Sequence, residues 1–207
     1  MTEKTGQAMT NTNMVTKELF TTKNLVMMAF LGAIAYVLML LHLPFKYLGF
    51  LEVEFSDVPA LVGGIFYGPM VGLLVELIKN LIKAITATTT GGVGELANFV
   101  ICSAYVVTAS YLFRRLKGKA RAVISFGVAT VALAFVGAII NYFITVPLYA
   151  QLFGGMENVV GSAAKTVPAV KDLATVVLLG ITPFNVMKGI VLGVIGFYLY
   201  KPLRNRI

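Results

Sequence analysis

Long apolar runs, broken by short polar stretches, dominate the chain, and no segment alternates apolar and polar residues with a strand-like period of two. The runs cover 24–43, 58–75 extending to 85, 96–113, 122–152 and 173–200. Each is close to or beyond the ~20 residues a helix needs to cross a bilayer, whereas a transmembrane barrel would need alternation. The pattern predicts an all-α integral membrane protein. Residues 1–16 are polar and rich in Thr and Asn, and are expected to form a flexible polar N-terminal tail ahead of a single membrane domain over 17–207.

Counting the runs gives five crossings, and the basic residues show why five does not fit. Lys4, Lys17 and Lys23 precede the first run; Arg114, Arg115, Lys117, Lys119 and Arg121 share one loop; Lys201, Arg204 and Arg206 close the chain. Basic residues collect in cytoplasmic loops. Five crossings would leave the 114–121 cluster outside. The Gly68-Pro69 pair resolves the conflict, because Pro disfavours helix at the residue before it and marks a break. Six helices follow, at about 24–43, 56–67, 69–87, 95–115, 120–152 and 173–202, with both termini cytoplasmic. The second is short: ten residues at 1.5 Å each span only about 15 Å, half of a ~30 Å hydrocarbon core. It must start earlier than Val58 or stay submerged against its neighbours. Gly64, Gly68 and Gly72, at intervals of four, are expected to let backbones approach there. The "GAIA" of the first run resembles a signal-cleavage site, but the apolar run continues past it, so the helix is read as retained.

Composition agrees: 58% of residues are hydrophobic and 13% charged, against roughly a quarter charged in a soluble domain. The net charge of +8 does not point to nucleic acid, because eleven of the 17 basic residues flank apolar runs. They sit where anionic headgroups would meet them. Cys102 is the only cysteine and His42 the only histidine, so no disulfide and no metal site are expected.

Polar side chains stranded inside apolar runs carry the chemistry, since such groups usually face a bundle interior or cavity. Glu76, Lys79 and Lys83 fall on one helix face at i, i+3 and i+7, and are read first as self-paired, with Lys83 also placed to snorkel outward. Glu95 and Asn98 share a side of a helix that opens after a glycine loop, where a carboxylate gains from the helix dipole. Asn141 lies deep in "GAIINYFITVP", and Asn185 and Lys188 share a face of the last helix. Each Asn alone can be glue between helices. Together with an embedded Lys they predict a polar ligand pocket formed by Glu95, Asn98, Asn141, Asn185 and Lys188. The P-loop, G-x-S-x-G, H-E-x-x-H and C-x-x-C patterns are all missing, so the chain is not read as an enzyme.

The stretch "EFSDVPALVGGIFYGPMVGLLVELIKNLIKAI", followed by "GGVGELANF" and preceded by Ala29-Phe30-Leu31-Gly32-Ala33, resembles the substrate-binding S components of energy-coupling factor (ECF) vitamin transporters, specifically the riboflavin-specific RibU type. The likeness runs from about Asn24 to the C-terminus. It implies capture of riboflavin from outside a bacterial plasma membrane, with a membrane scaffold subunit and two cytoplasmic ATPases driving release inward. It implies that Glu95, Asn141, Asn185 and Lys188 contact the flavin, and that Ala29 and Ala33 meet the scaffold. The flavin is a transported ligand, and no cofactor is implied. Asn supplies donor and acceptor, Lys only donors, and a carboxylate accepts from ribityl hydroxyls. Riboflavin and its phosphate FMN both stay open as ligands. So does a second class, a self-sufficient ion-coupled secondary transporter of a small polar or aromatic solute, although no internal repeat of the kind common in such folds is evident.

Overall fold

The computed structural model describes residues 21–41, 46–52, 54–118 and 120–203. The tail expected over 1–16 and His42 lie outside these residues, as do Lys4, Lys17, Lys119, Arg204 and Arg206. Helices α1 (Thr22–Leu40), α2 (Asp57–Tyr67), α3 (Pro69–Thr86), α4 (Val93–Arg115) and α5 (Arg121–Ile140) follow in order. A π-helical turn, Asn141–Thr145, then leads into α6 (Val146–Leu152). After α7 (Met156–Thr166) and the short α8 (Leu173–Thr175), a second π segment, Val176–Ile181, leads into α9 (Thr182–Leu203). The strands β1 (Lys46–Tyr47) and β2 (Leu51–Glu52) form a small antiparallel hairpin between α1 and α2.

Among the described residues four helical stretches are long and apolar enough to cross a membrane: Thr22–Leu40, Val93–Arg115, Arg121–Leu152 and Leu173–Lys201. Large apolar side chains such as Phe30, Val131, Phe135, Phe143 and Ile190 stand exposed on them, which suits a lipid environment. Helix α2 has 11 residues, a length of about 16 Å, and does not extend upstream of Asp57. Its start is therefore sunk inside the bundle, and the segment entering it carries Glu54, Ser56 and Asp57 into the interior, all buried.

The turn between α2 and α3 is one residue, Gly68, with φ 121° and ψ 155°, and Pro69 opens the next helix. Proline suits that first helical position because its missing N–H has no intrahelical partner there. The three spaced glycines divide into two roles. A Cβ at Gly64 would meet Ser110 Cβ at 2.9 Å and one at Gly72 would meet Val106 Cγ1 at 2.6 Å, so these two permit close packing on α4. Gly68 has nothing within 4 Å and is needed for its backbone angles.

One end of the bundle gathers Lys23, Arg114 and Arg121. Arg114 donates to the carbonyls of Ile65 and Phe66, both at 3.2 Å, capping the C-terminus of α2 where the helix dipole favours a cation. The Arg121 guanidinium lies 4.5 Å from the Phe113 ring centre and hydrogen-bonds Tyr200, and Lys23 sits 5.8 Å over Tyr67. The hairpin, the 87–92 loop and α7 occupy the other end. The stretch 154–172, which the sequence reads as an outer loop, contains α7, whose Val159 and Ala163 join Leu48, Tyr149 and Val176 in a second apolar cluster. Leu48 anchors the hairpin there, fully buried, in a pocket that only a glycine leaves open: a Cβ at Gly180 would lie 2.7 Å from Leu48 Cδ1.

Candidate functional site

Glu95, Asn98, Asn141, Asn185 and Lys188 all line one cavity, which encloses about 800 Å3 of empty space including its open mouth. The cavity lies under the hairpin and beside the 87–92 loop, at the end away from Lys23, Arg114 and Arg121.

Each side chain is held by local structure. Gly91 and Gly92 take positive φ (61° and 91°), turning the chain so that Glu95 falls in the first turn of α4. There its Oε2 accepts from the hydroxyls of Thr88 (3.0 Å) and Thr90 (3.2 Å). Those hydroxyls in turn accept from the backbone N–H groups of Gly92 and Gly94 at 2.9 and 3.0 Å, so loop and carboxylate lock each other. Asn98, one turn on, donates to Glu54 Oε1 at 3.0 Å, leaving its own Oδ1 without a hydrogen bond.

Asn141 opens the π turn and donates to the Gly137 carbonyl at 2.7 Å. Single π turns recur at functional sites, since the widened turn re-aims side chains. Asn185 faces the same spot from α9. An added Cβ at Gly137 would come within 2.2 Å of Asn185 Nδ2, so a bare α-carbon on α5 is what admits that amide. Asn185 Nδ2 is buried with no hydrogen-bond partner among the described residues. A buried donor left in that state costs about 1–3 kcal/mol, which favours a ligand that accepts from it. Lys188 donates to Cys102 Sγ at 3.3 Å, and its ammonium stands 2.7 Å from Asp57 Oδ2. This last contact is an ion pair whose alignment falls short of a hydrogen bond.

The interior charges pair differently from the expected helix-face arrangement. Glu76 and Lys79 do meet, at 2.9 Å, but fully buried Lys79 also hydrogen-bonds Ser56 at 2.8 Å and Asp57. Lys83 leaves that set and donates to Glu52 Oε2 on the hairpin at 2.9 Å, while Lys46 approaches Glu52 Oε1 at 3.1 Å. Burial pushes the Glu52 carboxyl up, but the bonds and charges of Lys83 and Lys46 outweigh it and leave the group below its ordinary value. Glu52, Glu54 and Lys83 line the cavity, as do the aromatic residues Phe50, Tyr149 and Phe184, none of which the sequence singled out except Lys83. Phe184 stacks on Tyr47 with ring centres 5.4 Å apart, and Phe50 meets Tyr149 edge-on at 5.5 Å. Acceptor and donor groups on the floor with aromatic rings at the wall suit a flat, polar-edged heteroaromatic ligand.

Ala29 and Ala33 stand apart from the cavity, exposed on the outer face of α1. Gly32 between them faces inward, where an added Cβ would lie 2.7 Å from Ile78 Cγ2 of α3. Among the described residues no cluster of three His, Cys, Asp or Glu side chains is arranged to hold a metal ion.

Residues 23–200 match the family described as the substrate-specific component of ECF transporters. The riboflavin transporter FmnP of Bacillus subtilis (strain 168) is 35% identical over 187 residues, covering 88% of this chain and 92% of that protein. The riboflavin transporter RibU of Staphylococcus aureus (strain TCH60) is 32% identical over 184 residues, covering 88% and 91%. A solved structure described as the S component of a bacterial ECF transporter superposes with a TM-score of 0.69 at 30% identity, covering 88% of this chain and 96% of that one. Fold, membrane spans and sequence agree, and the chain belongs to the substrate-specific (S) components of ECF transporters.

Proposed function

We propose that this S component captures riboflavin from the extracellular side and delivers it to a membrane scaffold subunit and two cytoplasmic ATPases. In this reading α1, α2, α3, α4, the α5–α6 rod and α9 are six membrane segments with both termini cytoplasmic. The gathering of Lys23, Arg114 and Arg121 at one end supports that orientation, and the cavity then opens outside.

One observation carries the ligand assignment. Asn141, Asn185 and Lys188 converge from two helices on one cavity that Glu95 and Phe184 also line. The pyrimidine edge of isoalloxazine carries two carbonyls, ring nitrogens and one N–H. Amides that both donate and accept, beside an ammonium that only donates, complement it. Glu95 then accepts from the ribityl hydroxyls, and the aromatic rings flank the tricycle. The naming of two relatives as riboflavin transporters supports the same ligand.

The test is uptake. Cells that cannot synthesise riboflavin are given this chain with or without an ECF scaffold and its ATPases, and labelled riboflavin is supplied at low concentration. Accumulation that requires both the chain and ATP supports the reading. Uptake by the chain alone, driven by an ion gradient, contradicts it. Adding FMN as a competitor decides whether the phosphate ester also enters.

A further inference from the structure

The site residues reach the cavity from α4, α5 and α9, yet the ion-pair partner of Lys188 lies on none of them. It is Asp57, in the first turn of the sunken α2. Asp57 is itself fixed: Lys79 donates to its other oxygen and also to the hydroxyl of Ser56, the residue just before α2. Both Asp57 and Lys79 are fully buried, and neither lines the cavity. A lysine head on a four-carbon stem has many places to point, so one that must read a ligand edge needs an anchor.

We infer that Asp57 is the positioning residue of the site: from outside the cavity it holds the Lys188 ammonium where a ligand acceptor meets it. Cys102 accepts from the same ammonium at 3.3 Å while the carboxylate holds it by charge, so the head is fixed in place with N–H donors left for the cavity. Amidation of Asp57 would leave Lys79 and Lys188 facing an uncharged group, with Glu76 the nearest carboxylate on Lys79. Like charges that close repel, and the Lys188 head is the one free to swing away. Asp57 therefore acts only through Lys188, and its loss can cost the ligand no more than the loss of Lys188 itself.

This inference rests on the riboflavin reading, and the experiment separates the two. The purified full-length protein and its Asp57→Asn, Lys188→Met and double variants are titrated with riboflavin by fluorescence quenching, and the unfolding temperature of each ligand-free protein is recorded alongside. Removing Lys188 is expected to weaken binding about tenfold to a hundredfold, the worth of a charge-assisted bond. Asp57→Asn should lose a similar factor or less, and the double variant should bind as Lys188→Met does. Losses that multiply in the double variant, tracking a falling unfolding temperature, would assign Asp57 to the fold alone and overturn the inference. So would a Lys188→Met protein that binds as the wild type does. If Asp57→Asn yields no folded protein, the double variant against Lys188→Met decides by the same criterion, since it removes both charges of the pair together. Failure of the wild type to quench riboflavin overturns the riboflavin reading first, and this inference with it.

Discussion

Gly137→Ala tests the geometry of the cavity floor with a single added methyl group. The new Cβ would lie 2.2 Å from Asn185 Nδ2, 3.3 Å from Asn185 Cγ and 3.5 Å from Ile101 Cγ2. Ordinary contact begins near 3.4 Å, so the Asn185 amide must move by about 1.2 Å. The atoms in the way are the far end of a side chain, so the fold gives easily. Overpacking costs of order 1 kcal/mol and the gain in helix propensity returns about the same. The amide itself does not survive in place. If it makes one or two hydrogen bonds to the flavin edge, each worth about 0.5–1.5 kcal/mol net, affinity falls by about twofold to 150-fold. Gly127→Ala on the same helix is the control: it is exposed and nothing lies within 4 Å, so it should bind as the wild type does. Fluorescence titration and thermal unfolding of both purified variants give the two numbers. A Gly137→Ala protein with wild-type affinity would show that Asn185 does not read the ligand from its observed position.

Three further outcomes follow from other parts of the molecule. Gly68→Ala should lower stability by about 1–3 kcal/mol in thermal or denaturant unfolding, because its φ of 121° and ψ of 155° belong to a region essentially reserved for glycine; an unchanged midpoint would refute the strain argument. The folded-state pKa of Glu52 is depressed, so its ion pairs with Lys83 and Lys46 contribute stability that is complete above the ordinary glutamate value of 4.5 and is lost as pH falls through the lower folded value. Glu52→Gln should flatten that acid limb of the unfolding-temperature profile, and an identical profile would remove the hairpin pairs as its cause. Ala33→Leu should bind flavin normally in detergent yet fail to co-purify with the scaffold, since Ala33 is exposed on α1 away from the cavity; loss of flavin binding instead would make it a packing residue.

What the sequence disclosed follows from contrast. Asn141, Asn185 and Lys188 are conspicuous because an amide or ammonium in a run of Ile, Val and Phe has no cheap place to go, and Glu95 stands out after its glycine loop. The break at Gly68-Pro69 was legible for a local reason, the steric demand of proline. Asp57 and Glu54 had no such contrast. They sit in "EVEFSD", which reads as a solvated loop, and only the shortness of α2 carries that loop into the interior, Glu54 to the cavity lining and Asp57 behind it. Lys83 was assigned to its own helix face, because a sequence shows i, i+4 neighbours but not a hairpin folding over from 31 residues away. Phe50, Tyr149 and Phe184 were invisible for the opposite reason, being apolar among apolar residues. Helix α7 reads as loop because its 11 residues follow the Gly154-Gly155 pair, contain Gly161, lead into Pro168 and are only partly apolar. The two π segments have no composition of their own and emerge only from packing.

The ligand itself can be measured without partners. The full-length protein, purified in detergent from cells growing on riboflavin, should be yellow and release one riboflavin per chain on denaturation. Stripped of ligand, it should quench added riboflavin fluorescence to a one-to-one end point. A folded, colourless protein that leaves riboflavin fluorescence unchanged would contradict the assignment of this cavity to flavin.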